Sequence, residues 1–126
     1  MKPLQTLGAP AAIGPYSQAI EGQGWVFCSG QIGLDPKSGA LIAGGVEAET
    51  RRALENLRAV LAEAELGFHH IVKTTIFLAD LGDFDVVNRI YGEYLSAPYP
   101  ARSTVQAAAL PRRARVEIEA IALKRA

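Results

Sequence analysis

The longest regular pattern in the chain is an amphipathic segment that runs from about Val46 to Leu66. Its apolar side chains recur at the three- and four-residue spacing of a helix, at Val46, Ala53, Leu57, Val60, Leu61 and Ala64. Gly67 follows where a left-handed C-terminal cap is common. A helix that is apolar along one stripe has to bury that stripe against another layer. The segment therefore predicts one long helix packed on a second element of structure.

Strand patterns lie on both sides of this helix. Runs of β-branched and aromatic residues between turn signals predict six strands, at residues 1–7, 16–20, 24–30, 71–79, 103–110 and 115–123. The second and third are joined at Glu21, Gly22 and Gln23 as a hairpin. A shorter helix is predicted from about Phe84 to Leu95, with Asp83 as its cap. The order β-β-β-α-β-α-β-β predicts an α+β fold with one six-stranded sheet.

Two helices of about 20 and 12 residues can cover only one face of such a sheet. Period-two alternation turns one set of side chains of the fourth strand to the helices, namely Val72, Thr74, Ile76 and Leu78. The second face is mixed rather than polar, because Phe77, Ile121 and Leu123 fall on it. Apolar patches on proteins usually mark interfaces. We therefore expect this face to pack against other copies of the chain.

Composition excludes several classes of protein. The 126 residues are 49% hydrophobic and carry 13 basic and 13 acidic side chains, which predicts one globular domain over residues 1–126 and no broad affinity for nucleic acid. The longest uncharged run, residues 3–20, holds three prolines, so we expect no membrane helix. A lone cysteine, Cys28, and a start without a signal-peptide pattern favour a cytoplasmic location.

Most familiar catalytic arrangements are missing from the sequence. The only histidines, His69 and His70, are adjacent and lack partners at metal-ligand spacing. Gly44 and Gly45 precede a helix, but the Lys-Ser/Thr of a phosphate loop does not follow. Cys28 lies in an apolar strand, where an inert thiol is expected. We therefore expect neither a metal nor a cofactor.

Two charged residues remain as candidates for chemistry. Arg102 follows Pro100 at the start of an apolar strand, where its fork of donors suits a small carboxylate. Glu117 lies in mid-strand between apolar neighbours, so its pKa should be raised and it could handle a proton or a water. A surface arginine and an ordinary polar strand face remain the alternatives. Tyr16, Asn88 and the backbone at Gly30 are further candidates, because they are polar groups next to apolar elements. For Tyr16 the alternative is a hydroxyl group in water, and for Asn88 it is a solvated side chain that faces outward.

The last two strands decide how these candidates meet. If the strands pair about Pro111 and Arg112, position 106 opposes position 117. The side chains of four residues then lie on the same face of the sheet, namely Arg102, Thr104, Gln106 and Glu117. In that register Arg102 and Glu117 lie roughly 13 Å apart along the strand. They would not form an ion pair, but both could reach a ligand of a few atoms.

Five ordered segments resemble the Rid family, also called the YjgF/YER057c/UK114 family. They are AAIGPYSQA at residues 11–19, SGQI at 29–32, IVKTT at 71–75, PARS at 100–103 and VEIEAIA at 116–122. The resemblance implies a chorismate-mutase-like fold and a homotrimer with clefts between subunits. It also implies an enamine/imine deaminase that hydrolyses 2-iminobutanoate and 2-iminopropanoate to 2-oxo acids and ammonia.

The resemblance also implies roles for particular residues. The carboxylate-binding arginine of the family falls on Arg102 and its water-handling glutamate on Glu117, while Tyr16, Gly30 and Asn88 match positions that line the cleft. Many members carry cysteine where this chain has Thr104, so no thiol can act at that position, whereas the backbone contacts to a substrate that the resemblance implies for Thr104 are kept. No cofactor is implied. The competing interpretation is a protein that binds small carboxylates without turning them over, in a regulatory or chaperone-like role.

Overall fold

The computed structural model describes residues 1–124. They form one six-stranded sheet in the order β1-β2-β3-β6-β4-β5, with two helices. The strands are β1 Lys2–Leu4, β2 Ala19–Gly22, β3 Trp25–Gln31, β4 Ile71–Leu78, β5 Ala101–Gln106 and β6 Val116–Leu123, and the helices are α1 Gly45–Glu63 and α2 Phe84–Tyr94. Three short 3-10 turns complete them, Phe68–His70, Leu81–Asp83 and Pro111–Arg113. The predicted α+β class and element order are confirmed, and the architecture is the chorismate-mutase-like one.

Both helices pack on one face of the sheet. The apolar stripe of α1 supplies fully buried side chains such as Leu57 and Leu61, and these join Val26, Ile76 and Ile118 from the strands in one core. Each of these five side chains is at most 1% exposed. The core therefore depends on the same helical periodicity that was visible in the sequence.

The hairpin forms with a different turn from the predicted one. Gln23 and Gly24 are the two turn residues, with φ of 51° and 84°, and Gly22 pairs with Trp25. Two successive left-handed residues give the type I′ turn that matches strand twist. The first strand of the hairpin begins only at Ala19, and the buried side chain of Gln18 just before it is hydrogen-bonded to the preceding segment.

Two predicted helix caps are wrong. Helix α1 ends at Glu63, and the left-handed residue that follows is Glu65 with φ of 62°, whereas Gly67 is extended with φ of −128°. The Asp83 side chain caps no backbone N–H of α2 and accepts instead from the guanidinium of Arg115 at 3.0 Å.

Strand β4 also departs from simple alternation at its start. An irregularity between Ile71 and Lys73 leaves Val72, which was predicted to face the helices, exposed.

The predicted pairing of the last two strands is wrong. β4 lies between them, with β5 parallel to it on one side and β6 antiparallel on the other. Strands joined by a helix form a parallel pair, and this β4–α2–β5 unit places β5 at the edge of the sheet. The closing segment, with its 3-10 turn at Pro111–Arg113, then carries the chain across the end of β4.

The face of the sheet away from the helices has no covering layer within residues 1–124. Its apolar side chains include Phe27, Val105 and Trp25, which are 51%, 42% and 39% exposed. This agrees with the mixed second face inferred from the sequence. In the described part of the chain no helix is long and apolar enough to cross a membrane.

Candidate active site

Glu117 lies on β6 and faces the uncovered side of the sheet, beside Phe77 of β4. The neighbouring strand β3 has a bulge there, because Cys28 pairs with Ala120 and Gln31 with Ile118, so two residues, Ser29 and Gly30, oppose one. Bulges are common next to active sites because they redirect the chain locally. Here the bulge makes room for the carboxylate of Glu117.

Gly30 gives the Glu117 side chain its space. A Cβ built on Gly30 would overlap the carboxylate of Glu117, so a side chain at this position is incompatible with the observed rotamer. The carboxylate is half-buried, and this desolvation raises its pKa, with the negative charge of Glu119 adding to the effect. The predicted upward shift is confirmed in direction.

A cavity of about 550 Å³ opens above this carboxylate. Its walls include Tyr16, Ile13 and Ile32, as well as Gly30, Arg112 and Glu117. Buried amides hold two of these walls in place. Asn56 on α1 donates to the carbonyl oxygens of Ile32 and Leu34 at 3.2 and 2.9 Å, and Gln18 donates to the carbonyl oxygen of Pro10 at 2.7 Å.

Helix α1 also anchors the start of β6. The carboxylate of Glu49, only 3% exposed, accepts the backbone N–H of Arg115 at 2.8 Å. Arg115 lies two residues before Glu117, so this bond fixes the strand that carries the candidate base.

Arg102 is held on the opposite face of the sheet by residues of α2. Its Nη1 donates to Oδ1 of Asn88 at 2.8 Å, and its guanidinium lies over the rings of Tyr91 and Phe84 at 5.0 and 5.6 Å. The hydroxyl groups of Tyr91 and Thr74 are hydrogen-bonded at 2.7 Å, which fixes the first ring. The two rings attract the guanidinium through cation–π interactions and so help to hold it in one orientation.

The guanidinium of Arg102 has donors to spare. It is exposed and makes no ion pair within residues 1–124, and only one of its five N–H groups goes to Asn88. It lines a second cavity, of about 440 Å³, together with Asn88, Tyr91 and Tyr99. An oriented, unpaired guanidinium beside an open cavity is suited to binding a carboxylate.

Sheet pairing separates the two charged candidates. Residues that are partners across a ladder carry their side chains on the same face. Arg102 is the partner of Thr74, which faces α2, whereas Glu117 is the partner of Phe77, which faces away from both helices. The expected common face for Arg102, Thr104, Gln106 and Glu117 is therefore wrong for the last of them.

Five of the six candidate residues thus fall into two groups. Tyr16, Gly30 and Glu117 line one cavity, and Asn88 and Arg102 line the other. Thr104 lines neither, and its Oγ1 is buried with no hydrogen-bond partner in the described residues. Within a single chain the structure does not bring the arginine and the glutamate together.

The sequence reasoning missed the aromatic support of Arg102. A helical signal was present, since Phe84, Asn88 and Tyr91 occur at spacings of four and three along one face of α2. The prediction for Cys28 agrees with the structure. Cys28 is buried, and burial raises the pKa of its thiol to about 12, as expected of an inert thiol. The ring centroids of His69 and His70 lie 4.0 Å apart, and the rings are tilted by 43° to each other. Among residues 1–124, no three metal-binding side chains lie together.

Comparison with known proteins places these features in a family. The family model described as Endoribonuclease L-PSP matches residues 6–124. A mouse protein named 2-iminobutanoate/2-iminopropanoate deaminase is 53% identical, over 98% of this chain and 91% of its own. A crystal structure of a Thermotoga maritima protein superposes with a TM-score of 0.97 at 44% identity, covering 100% of this chain and 99% of the other. The Escherichia coli protein TdcF, crystallised with bound serine, has a TM-score of 0.92 at 41% identity, with 99% and 100% covered.

Proposed function

Because the chain belongs to the Rid family, described by the Endoribonuclease L-PSP model, we infer that it is an enamine/imine deaminase. It hydrolyses 2-iminobutanoate and 2-iminopropanoate to the corresponding 2-oxo acids and ammonia. The observation that carries this function is the identity of about half of all residues with deaminases over nearly the full chain. The site geometry fits it, because it offers one anchor for a carboxylate and one carboxyl group with a raised pKa.

The proposed mechanism divides the work between Arg102 and Glu117. Arg102 binds the substrate carboxylate through two parallel N–H donors, which orients the C=N carbon. Glu117 takes a proton from a water molecule, whose oxygen adds to that carbon while the π-electron pair goes to nitrogen, and the nitrogen then takes the proton from Glu117. Glu117 next takes the hydroxyl proton of the resulting carbinolamine and passes it to nitrogen, so that the C–N bond breaks, ammonia leaves, the hydroxyl oxygen becomes the carbonyl of the 2-oxo acid and Glu117 is ionised again. Water and proton transfers are sufficient for this reaction.

We propose that the complete site forms between two copies of the chain, in a homotrimer with a cleft at each interface. Arg102 and Glu117 lie on opposite faces of one sheet, so one substrate of a few atoms contacts both only if they come from different chains. Two features of the surface support such an assembly. The uncovered face exposes Phe27 and Val105, and edge strand β5 has a partner on one side only.

The remaining parts of this proposal concern partners and location. A balance of 13 basic and 13 acidic residues gives no net field for nucleic acid, so we favour small 2-imino and 2-oxo acids as ligands. A cytoplasmic location suits an enzyme whose lone cysteine is buried. A protein that binds small carboxylates without catalysis would need Arg102 but would have no use for a desolvated Glu117.

A coupled assay tests the activity directly. A threonine dehydratase generates 2-iminobutanoate in place, and semicarbazide traps the imine that survives. We expect the protein to lower the amount of trapped imine and to leave total 2-oxo acid production unchanged. Heat-denatured protein is the control. Unchanged trapping at enzyme concentrations that equal those of the dehydratase would contradict the proposed function.

The raised pKa of Glu117 predicts the pH profile. Only the ionised carboxylate can accept a proton from water, so the enzymatic acceleration should fall as the pH drops through this raised pKa. Glu119→Gln removes one of the two causes of the shift and should move the acid limb to lower pH, with little change at neutral pH. Rates relative to the uncatalysed reaction at each pH measure this. An acid limb that stays in place or moves upward in Glu119→Gln would exclude Glu117 as the base.

A further inference from the structure

A second arginine lines the cavity of Glu117. Arg112 is part of the 3-10 turn that precedes β6, and it lines the cavity of about 550 Å³ together with Tyr16, Gly30 and Glu117. Its backbone is left-handed, with φ of 59° and ψ of 22°, a conformation that residues other than glycine adopt rarely. The turn thus places an arginine at the wall of the candidate site.

The charge of Arg112 is not used elsewhere in the described chain. Within residues 1–124 its guanidinium makes no ion pair, whereas Arg115, three residues later, is paired with Asp83 at 3.0 Å. Arg112 is also not paired with Glu117, whose pKa is raised by burial and by Glu119 rather than lowered by a neighbouring cation. The cavity is therefore lined by one carboxylate and by a separate arginine whose guanidinium makes no ion pair within residues 1–124.

The cavity is also larger than the smallest substrates need. Sites of about 300 to 1,000 Å³ bury ligands of drug size, and this one has about 550 Å³ before any partner surface is added. In the proposed homotrimer, a substrate whose carboxylate is bound by Arg102 of a neighbouring chain and whose C=N carbon lies at Glu117 can direct its side chain into the remaining space. Apolar walls such as Ile13 and Ile32 accept the methyl and ethyl groups of the simple imines. The methyl and ethyl groups of these imines cannot form a hydrogen bond or an ion pair with Arg112.

We propose that Arg112 binds a second carboxylate, and that the protein also hydrolyses 2-imino dicarboxylates such as the imines of the aspartate and glutamate skeletons. This inference rests on the proposed function and extends it to a second substrate class. A guanidinium suits this role because it donates two parallel hydrogen bonds to a carboxylate. It also offsets the repulsion that the diacid would meet from Glu117. The reaction itself is unchanged: water adds to the C=N carbon, ammonia leaves and a 2-oxo diacid forms.

The neighbouring residue provides a matched control. Arg113 has the same side chain, is likewise exposed and is also left-handed with φ of 58°, but it does not line the cavity. Arg112→Gln and Arg113→Gln therefore change charge and backbone preference equally, and only the first changes the site. Amino-acid oxidases acting on alanine and aspartate supply 2-iminopropanoate and 2-iminosuccinate as the two substrates.

The test compares kcat/KM for the two imines in each variant. We expect wild-type protein to hydrolyse both, and Arg112→Gln to lose about 10-fold or more on 2-iminosuccinate with less than about 2-fold change on 2-iminopropanoate. Arg112→Lys should recover part of the loss, and Arg113→Gln should resemble the wild type. Turnover of 2-iminopropanoate also shows that each variant is folded.

The alternative outcomes separate this inference from the function on which it rests. Hydrolysis of 2-iminopropanoate with no hydrolysis of 2-iminosuccinate by wild-type protein overturns the role of Arg112 and leaves the deaminase activity intact. Equal losses on both substrates in Arg112→Gln, or equal losses on 2-iminosuccinate in both glutamine variants, overturn it too. If neither imine is hydrolysed by the wild type, the proposed function itself fails.

Discussion

Arg102→Ala is expected to lower kcat/KM for 2-iminobutanoate by at least about 100-fold, because two charge-assisted hydrogen bonds to the substrate carboxylate are lost together. The fold should be unaffected. The guanidinium is exposed, and its only hydrogen bond within residues 1–124 is to Asn88, itself an exposed residue. The loss should therefore appear in the imine-trapping assay and not in the thermal unfolding midpoint.

Two further variants separate charge from positioning. Arg102→Lys keeps the charge but cannot form the paired bonds, so it should retain only a small part of the activity. Asn88→Ala leaves the guanidinium in place on Tyr91 and Phe84 and should cost about 10-fold or less. Unchanged imine turnover in Arg102→Ala would refute the assignment of Arg102 as the carboxylate anchor.

Two inactive variants are expected to restore activity when they are mixed. In the proposed trimer, a chain with Arg102→Ala still supplies Glu117, and a chain with Glu117→Gln still supplies Arg102. After random exchange of equal amounts, about one site in four draws both intact residues from different chains. Co-expressed variants should thus reach about one quarter of wild-type activity, against almost none for either alone.

A matched mixture distinguishes shared sites from sites within one chain. Wild-type protein mixed equally with the double variant should fall to about one quarter of full activity if each site needs two chains, and to about one half if each chain holds its own site. Sedimentation should give a species of three times 13.4 kDa for every sample. Failure of the two single variants to complement, in assemblies shown to contain both, would exclude a site shared between subunits.

Periodicity made most of the fold predictable from the sequence. The stripe that includes Leu57 and Leu61 has the spacing of a helix whose one face is buried, and the two segments around Gln23 and Gly24 have the pattern of a hairpin. These patterns are local. Exact ends were less predictable because alternatives compete within a few residues, as where Glu65 rather than Gly67 takes the left-handed position after α1.

Strand order was not predictable in the same way. Only a short segment separates β5 from β6, which favours a hairpin on sequence proximity alone, yet β4 lies between them. The parallel pairing of β4 with β5 depends on how α2 packs on the sheet, and that is a property of the tertiary structure. Since one strand position decides which face a side chain occupies, this single error placed Glu117 on the wrong side relative to Arg102.

The candidate residues themselves could be selected without the sheet order. An arginine after a proline and a glutamate between apolar neighbours are unusual enough in type and context to be singled out from sequence. Their surroundings were less accessible. The rings of Phe84 and Tyr91 lie under Arg102 because α2 packs beside β5, and Arg112 lines the cavity because the turn before β6 is left-handed.

The extra residue in β3 has a consequence for how this sheet could evolve. A chain shortened by one residue at Ser29 or Gly30 would keep Cys28 and Gln31 facing the helices and would gain an uninterrupted ladder between β3 and β6. It would lose the bulge at Gly30, whose missing side chain leaves the space that the carboxylate of Glu117 occupies. The protein with the regular strand would have a more complete sheet but no site for the carboxylate of Glu117, so selection for stability alone would favour loss of the site.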